Sequence, residues 1–494
     1  MILAIDSGTT GTTALVIDRR GRIVSRAYAE LPQRYPRPGW VEHDPHDILR
    51  VTDHVIRKAA SGRLARRIQA IGITNQRETT ILWDRRTGRP IHNAIVWQCR
   101  RTAAMCDQMK RRGWEPDIRR RTGLVLDAYF SGTKVRWLLD HVPGAARRAA
   151  AGSLAFGTVD SWLIWHLTGG RVHATDPTNA SRTLLYNIRR RAWDPVLLRR
   201  MGVPASLLPQ VRPSAGAFGV TARGGALPAG IPIAGNAGDQ QASMVGHGCL
   251  TPGTAKNTYG TGCFLLLHTG RRFVASRHGL LTTLVYDGSN QPGYALEGSV
   301  FIAGAAIQWL RDELKLIRRA AQTEAIARRV RDTGGVYLVP AFVGLGAPYW
   351  DMHARGAVIG LTRGSGRDVI IRATLESLAY QTCDVVEAME RDSGIRLREL
   401  RVDGGAAKND WLMQFQADLI GRPVLRPPMV ANTGRGAALL AGIGIGWWTP
   451  RDAARLAGKP ERVFRPRMSA NERRRLYGGW RRAVARVRTT EAPG

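Results

Sequence analysis

Apolar runs and turn-forming residues alternate from the first residue. ILAID, ALVID and IVSRAY are separated by SGTTGTT and by the Asp18 to Arg22 turn, which predicts three consecutive strands. The stretch TAKNTYGTGCFLLLHTG, residues 254–270, repeats the pattern of strand, Gly/Thr turn and strand. Strand-like runs alternate with helical patterns through the rest of the chain, predicting α/β architecture in both halves. One helix start is well marked, with Asp44 as N-cap, Pro45 at the first helical position and Asp47 at the third. The two similar units predict a duplicated architecture with one nucleotide cleft between the halves. A boundary in GHGCLTPG, residues 246–253, divides the chain into domains 1–248 and 249–494.

GITNQRETTILW, residues 72–83, departs from this alternation. Ile68, Ala70, Ile71 and Ile73 lead in, and Ile81, Leu82 and Trp83 lead out, yet Gln76, Arg77 and Glu78 lie between them. Adjacent opposite charges in an apolar run are costly to bury unless structure or ligand satisfies them. An ion pair on a loop is the plain alternative.

Three turns carry phosphate chemistry. Asp6-Ser7-Gly8-Thr9-Thr10 ends a buried strand with a carboxylate suited to hydrated magnesium and continues into glycine and hydroxyls suited to phosphate oxygens. Gly260-Thr261-Gly262 offers a second such turn, and Asp403-Gly404-Gly405 a third on which a base or phosphate can lie. Each also reads as an ordinary turn. The chain has no G-x-x-x-x-G-K-[ST] loop and no H-R-D or D-F-G set. In GNAGDQQA, Asp239 sits among small residues, where a carboxylate can be desolvated and aimed as a general base or can cap a helix.

Length and composition narrow the setting. A chain of 494 residues with 44% hydrophobic content exceeds one compact core and implies two large domains. AALLAGIGIGWW, residues 437–448, falls short of the roughly 20 residues needed to span a bilayer. Met1 runs directly into a strand with no secretory signal, so a cytoplasmic location without membrane insertion is expected. The five scattered cysteines lack zinc spacing and read as reduced core residues. A net charge of +34 would ordinarily suggest nucleic acid, but only seven of the 73 basic residues are lysine and they are spread along the chain. That uniform arginine excess reads as compositional bias, and no nucleic-acid partner is expected. The densest cluster, Arg462 to Arg488, reads as a basic helix pair.

GITNQRETTILW, NAIVWQCRRTA, AGDQQAS, AKNTYGTGCF, YALEGSVFIAGAAIQWLRDE and RVDGGAAKNDWLMQFQADLI together resemble the FGGY carbohydrate kinase family, in particular its glycerol-phosphorylating members. The resemblance runs from Ile2 to about Trp448, with a looser match beyond. It implies two actin-like ATPase (ribonuclease H-like) domains with an interdomain nucleotide and substrate cleft. The implied activity is transfer of a phosphoryl group from ATP to glycerol, with Mg2+, forming sn-glycerol 3-phosphate. Arg77, Glu78, Trp97, Tyr129, Asp239, Gln240 and Phe264 match the glycerol pocket, with Asp239 the general base. Asp6, with Asp239, matches the magnesium position. Thr9, Thr10, Gly260, Thr261, Gly304, Gln308, Gly405 and Asn409 match the ATP site. Homodimers or homotetramers are common in the family.

Two positions depart from the family pattern. The first phosphate turn usually continues to Arg or Lys where this chain has Thr13, and Arg435 stands where an apolar residue is common. Gly230 replaces an arginine associated with control by fructose 1,6-bisphosphate in some members, so that control is expected to be weak or absent. On residues alone, a kinase for a larger polyol or ketose and a non-catalytic ligand or nucleic-acid binder both stay open.

Overall fold

The computed structural model describes residues 1–289, 291–428, 431–458 and 460–489. The first sheet contains β1 (Ile2–Ser7), β2 (Gly11–Ile17), β3 (Ile23–Glu30), β4 (Ala70–Asn75) and β5 (Ile233–Gly238). Their order is β5-β4-β1-β2-β3; β1, β2 and β3 form an antiparallel meander, and β4 and β5 add in parallel. The second sheet contains β6 (Thr254–Tyr259), β7 (Cys263–Gly270), β8 (Leu281–Val285), β9 (Gly293–Val300), β10 (Glu399–Gly404), β11 (Val424–Arg426) and β12 (Arg462–Phe464). Among the described residues, β9-β7-β6-β10-β11 repeats the order and directions of β3-β2-β1-β4-β5, with β8 and β12 added at the edges. This bears out the expected pair of actin-like ATPase domains.

The helices that matter here are α1 (Pro45–Ala59), α2 (Glu115–Thr122), α3 (Asp239–Gly246), α4 (Gly304–Asp312), α5 (Arg367–Ser393), α6 (Asp410–Ile420), α7 (Asn432–Gly444) and α8 (Ala470–Val487). Asp44 caps α1, its carboxylate accepting from the His46 N–H at 2.9 Å. The meander turns are tight, with the Gly8 N–H bonded to Gly11 O at 3.0 Å and the Gly260 N–H bonded to Gly262 O at 2.9 Å.

Although α7 follows strands β6 to β11 of the second sheet in sequence, it covers the first sheet. Ala437, Ala438, Leu440 and Ala441 share a core with Ile2, Ala4, Leu15 and Ala70. The approach is so close that side chains are excluded. A Cβ on Gly436 would lie 1.8 Å from Ala242 O of α3, and one on Gly72 of β4 would lie 2.1 Å from Ala437 O.

All five cysteines are buried and free. Among the described residues, no helix is long and apolar enough to cross a membrane. The basic C-terminal segment differs from its expected form, being strand β12 followed by a single helix, α8. Val463 and Phe464 pair with Leu425 and Val424, and Pro466 keeps that stretch out of a helix. From the glycine packing, Gly436→Ala should destabilise the fold by about 1–3 kcal/mol in urea unfolding. Gly225→Ala, at a position where the added Cβ meets nothing within 4 Å, should leave stability unchanged.

Candidate active site

The site is built where the loop after β4 meets one face of the second sheet. Gln76 fastens that loop to the β1–β2 turn, its backbone N–H donating to Ser7 O at 2.9 Å and its side-chain amide to Gly8 O at 3.2 Å. Glu78 then adopts a left-handed backbone, φ +62°, a conformation that costs a non-glycine residue about 1–3 kcal/mol unless its surroundings impose it. Its carbonyl accepts from Ser131 Oγ and Thr80 Oγ1, both at 3.1 Å. On the opposing sheet, the register places Lys256, Thr258, Phe264 and Glu297 on one face.

Arg77 and Glu78 are buried, and their charges are met by two residues from distant parts of the chain. Arg77 donates two hydrogen bonds to Glu297, at 2.8 and 3.0 Å. Arg182 donates to Glu78 at 2.6 Å and to Glu297 at 3.1 and 3.3 Å. Two guanidiniums thus balance two carboxylates away from water. Burial alone would raise the Glu297 carboxyl, but Arg182 and Arg77 hold it well below the usual carboxylate range.

Asp239 opens α3 at the border of this network, its side chain 31% exposed and its carboxylate 3.3 Å from Arg77 Nε. Gly238 is the N-cap, so Asp239 stands one residue inside the helix, and its carboxylate accepts from the Gln240 N–H at 2.7 Å. Arg77 Nε is buried and has no hydrogen-bond acceptor among the described residues. Arg77 Nε therefore meets Asp239 as an ion pair without a formed hydrogen bond, beside a carboxylate that water can reach.

Trp97 and Tyr129 meet edge to face, ring centroids 5.5 Å apart. The Trp97 indole N–H donates to Thr9 Oγ1 at 2.9 Å, tying this aromatic wall to the first phosphate turn. Buried Lys134 supports the wall from behind by donating to Tyr129 O at 2.5 Å. Lys256, also fully buried, donates to Gln240 Oε1 and, at 2.9 Å, to Thr258 Oγ1. Because an ammonium only donates, it fixes the Gln240 amide with its oxygen inward and its NH2 free to face the cleft.

Asp6 is the penultimate residue of β1, where burial, followed by the charge of Asp239, pushes its carboxyl up to about 7. Thr10 is exposed in the adjoining turn. Thr13 pairs with Asp6 across the β1–β2 ladder. The Arg435 guanidinium donates to Leu456 O at 2.5 Å. The remaining six candidate ATP residues converge: Gly260, Thr261, Gly304, Gln308, Gly405 and Asn409 line one cavity of about 400 Å3. A Cβ on Gly304 would lie 2.5 Å from Gly260 O, so this wall is closed by bare backbone. Asn409 caps α6 through the Leu412 N–H at 2.9 Å and donates to Thr323 Oγ1 at 3.2 Å.

Arg182, Glu297 and Lys256 are the components that sequence reasoning missed. Glu297 carried a related signal, a lone charge inside the apolar strand GYALEGSV, whereas Arg77 and Glu78 form an adjacent pair. Asn179, within a glycosylation-like triplet, is wholly buried and bonded to Asn75 and Asp176.

Residues 1–246 match the N-terminal domain of the FGGY family of carbohydrate kinases, and residues 255–445 match its C-terminal domain. The chain is 59% identical over 493 residues to a glycerol kinase of Symbiobacterium thermophilum, covering 99% of this chain and 98% of that one. The crystal structure of Plasmodium falciparum glycerol kinase with ADP matches with a TM-score of 0.95 and 36% identity, over 99% of this chain and 98% of that one. A ligand-bound xylulose kinase of Lactobacillus acidophilus, 21% identical, shares the fold with a TM-score of 0.86 over 98% of each chain.

Removing one member of the buried network should be severe. Arg182→Met is expected to cost about 3–5 kcal/mol in urea unfolding, because it leaves two buried carboxylates against the single guanidinium of Arg77. Arg182→Met combined with Glu297→Met should recover part of that loss, and an additive double variant would show that the two residues are not coupled.

Proposed function

The chain belongs to the FGGY family of carbohydrate kinases, and on that premise we propose that it is a glycerol kinase, transferring the γ-phosphoryl group of ATP to glycerol to form sn-glycerol 3-phosphate. The observation that carries the reading is the buried Nε of Arg77, which makes no hydrogen bond among the described residues and lies 3.3 Å from the accessible carboxylate of Asp239. A triol presents hydroxyls on every carbon, so it needs charged donors and acceptors along one side and aromatic faces against its C–H edges. Arg77, Glu78 and the Gln240 amide supply the first, and Trp97, Tyr129 and Phe264 the second. The full-length identity to glycerol kinases supports the small substrate over a ketose.

In this reading Asp239 takes the proton of the terminal hydroxyl as its oxygen attacks the γ-phosphorus and ADP leaves. The nucleotide lies in the cavity bounded by Gly260, Thr261, Gly304, Gln308, Gly405 and Asn409, with its phosphates toward Thr9 and Thr10. Holding both substrates in one geometry contributes about 7–11 kcal/mol by removing the entropy of encounter. The residues present fit a divalent cation: the Asp6 carboxyl is raised first by burial and then by the charge of Asp239, a conflict that a cation resolves. Magnesium held by Asp6, with Asp239 beside it, supplies charge neutralisation at the phosphoryl oxygens. ATP chemistry and five buried free thiols are in keeping with a cytoplasmic location.

Asp239→Asn should lower kcat for glycerol by about 10²–10⁴ while changing the KM for glycerol little, and a variant that keeps most of its kcat would remove Asp239 from the base role. Asp6 gives a pH test whose sign is fixed. Its folded-state value of about 7 exceeds the ordinary 3.8, so the folded protein binds the extra proton and Asp6 destabilises it progressively as pH rises from about 4 to about 7. Mg2+ should therefore raise Tm little at pH 5 and distinctly more at pH 8, and Asp6→Asn should abolish the difference.

A further inference from the structure

A cleft of about 780 Å3 lies on the second half of the molecule and shares no lining residue with the nucleotide cavity. It is walled by the C-terminal third of α5, the turn at 277–279, the loop at 348–350 and α8, and Arg119 of α2 reaches it from the first half. Its volume lies within the roughly 300–1,000 Å3 of small-molecule sites.

Its charge is unbalanced. Arg119, Arg277, Arg391, Arg481 and Arg488 converge on it, against only two carboxylates, Asp384 and Glu387. Glu387 is already held by Arg391 at 3.2 Å. Buried Asp384 is satisfied by neutral donors, Tyr477 OH at 2.6 Å and Trp480 Nε1 at 2.8 Å. Arg119 has a carbonyl partner, Ser276 O at 3.0 Å. The Arg277 backbone N–H donates to Asp392 at 3.1 Å, but the guanidiniums of Arg277 and Arg481 have no carboxylate partner among the described residues. Arg488 lies over the Tyr349 ring at 5.6 Å, with its Nε buried and without an acceptor among the described residues. The chain is arginine-rich throughout, but dispersed surface guanidiniums do not require convergence on one concavity with four of them lacking a carboxylate partner among the described residues.

The aromatic wall is held under strain. Trp350 has φ +51°, and its indole N–H donates to Gly279 O. A Cβ on Gly279 would lie 2.5 Å from that indole. A bulky residue in the left-handed region persists only where its surroundings impose it, and such positions gather at ligand sites.

We propose that this cleft binds a phosphorylated small molecule. The guanidiniums of Arg277, Arg481 and Arg488 take its phosphoryl oxygens, and Trp350 takes the face of its ring. A phosphoryl group presents several anionic oxygens in the fork geometry that guanidinium matches, and can engage more than one arginine at once.

The test uses the full-length protein saturated with ADP and glycerol, titrated calorimetrically with inorganic tripolyphosphate and separately with ribose 5-phosphate. One equivalent of at least one probe should bind saturably. Combined Arg277→Glu and Arg481→Glu should weaken that binding at least tenfold with transferase turnover unchanged. Combined Arg63→Glu and Arg66→Glu, an equal change of charge at exposed positions elsewhere, should not weaken it. Tripolyphosphate alone would mark a site for phosphoryl charge; ribose 5-phosphate as well would mark a site for phosphate and ring. No saturable binding of either probe, or equal weakening in the two double variants, overturns the proposal. The comparison of variants holds whatever occupies the catalytic cleft.

Discussion

Four charges without water set the geometry of this molecule. Arg77, Glu78, Arg182 and Glu297 are buried, and an uncompensated charge at any of these positions costs several kcal/mol. The pairing therefore permits little freedom between the loop after β4, the segment bearing Arg182 and strand β9. Such networks are weak sources of net stability, since apolar residues of equal volume often do as well. What this one supplies is register. It draws Glu78 into a left-handed backbone, points Arg77 Nε at Asp239 and joins the two sheets at the point where they face one another.

The duplicated topology makes that meeting possible. Each sheet begins with a meander whose first turn is rich in glycine and threonine, and each adds later strands in parallel on the opposite side of its first strand. The ends of β1 and β6 thus present equivalent turns, one beside Asp6 and Thr9, the other at Gly260 and Thr261. Helix α7 then returns from the second half to close the first core, through contacts that only glycine permits. The halves are joined by shared packing as well as by the chain near residue 250.

The legible parts were local. Asp44, Pro45 and Asp47 specify a helix start within four residues, and each Gly/Thr turn announces its hairpin within about fifteen. The charged pair in GITNQRETTILW announced a buried site because its cost is also local. Its partners were not legible, because Arg182 lies 104 positions from Glu78 and Glu297 lies 220 from Arg77. A sequence states that a charge must be satisfied without stating by what. The placement of α7 was hidden for the same reason, since small residues and glycines describe a close contact but not its partner. At the C-terminus, the abundance of arginine masked the short strand β12, whose pairing with β11 is again a distant contact.

The distribution of charge gives the +34 excess a different meaning from the one its size suggests. Around the cleft, Arg77, Arg182 and Lys256 stand against Glu78, Glu297 and Asp239, and His247 stands 2.9 Å from Asp403. The catalytic interior is thus close to balanced, as burial demands. Thr13 at the Asp6 turn fits that balance, because Arg77 and Lys256 already bring positive charge to Asp239 from the other side. The excess accumulates where solvent screens it at little cost, and it has local consequence only where the backbone folds several guanidiniums into one concavity. Net charge thus describes the surface and its long-range field, whereas the chemistry of the cleft depends on a few pairings in which nearly every charge is answered.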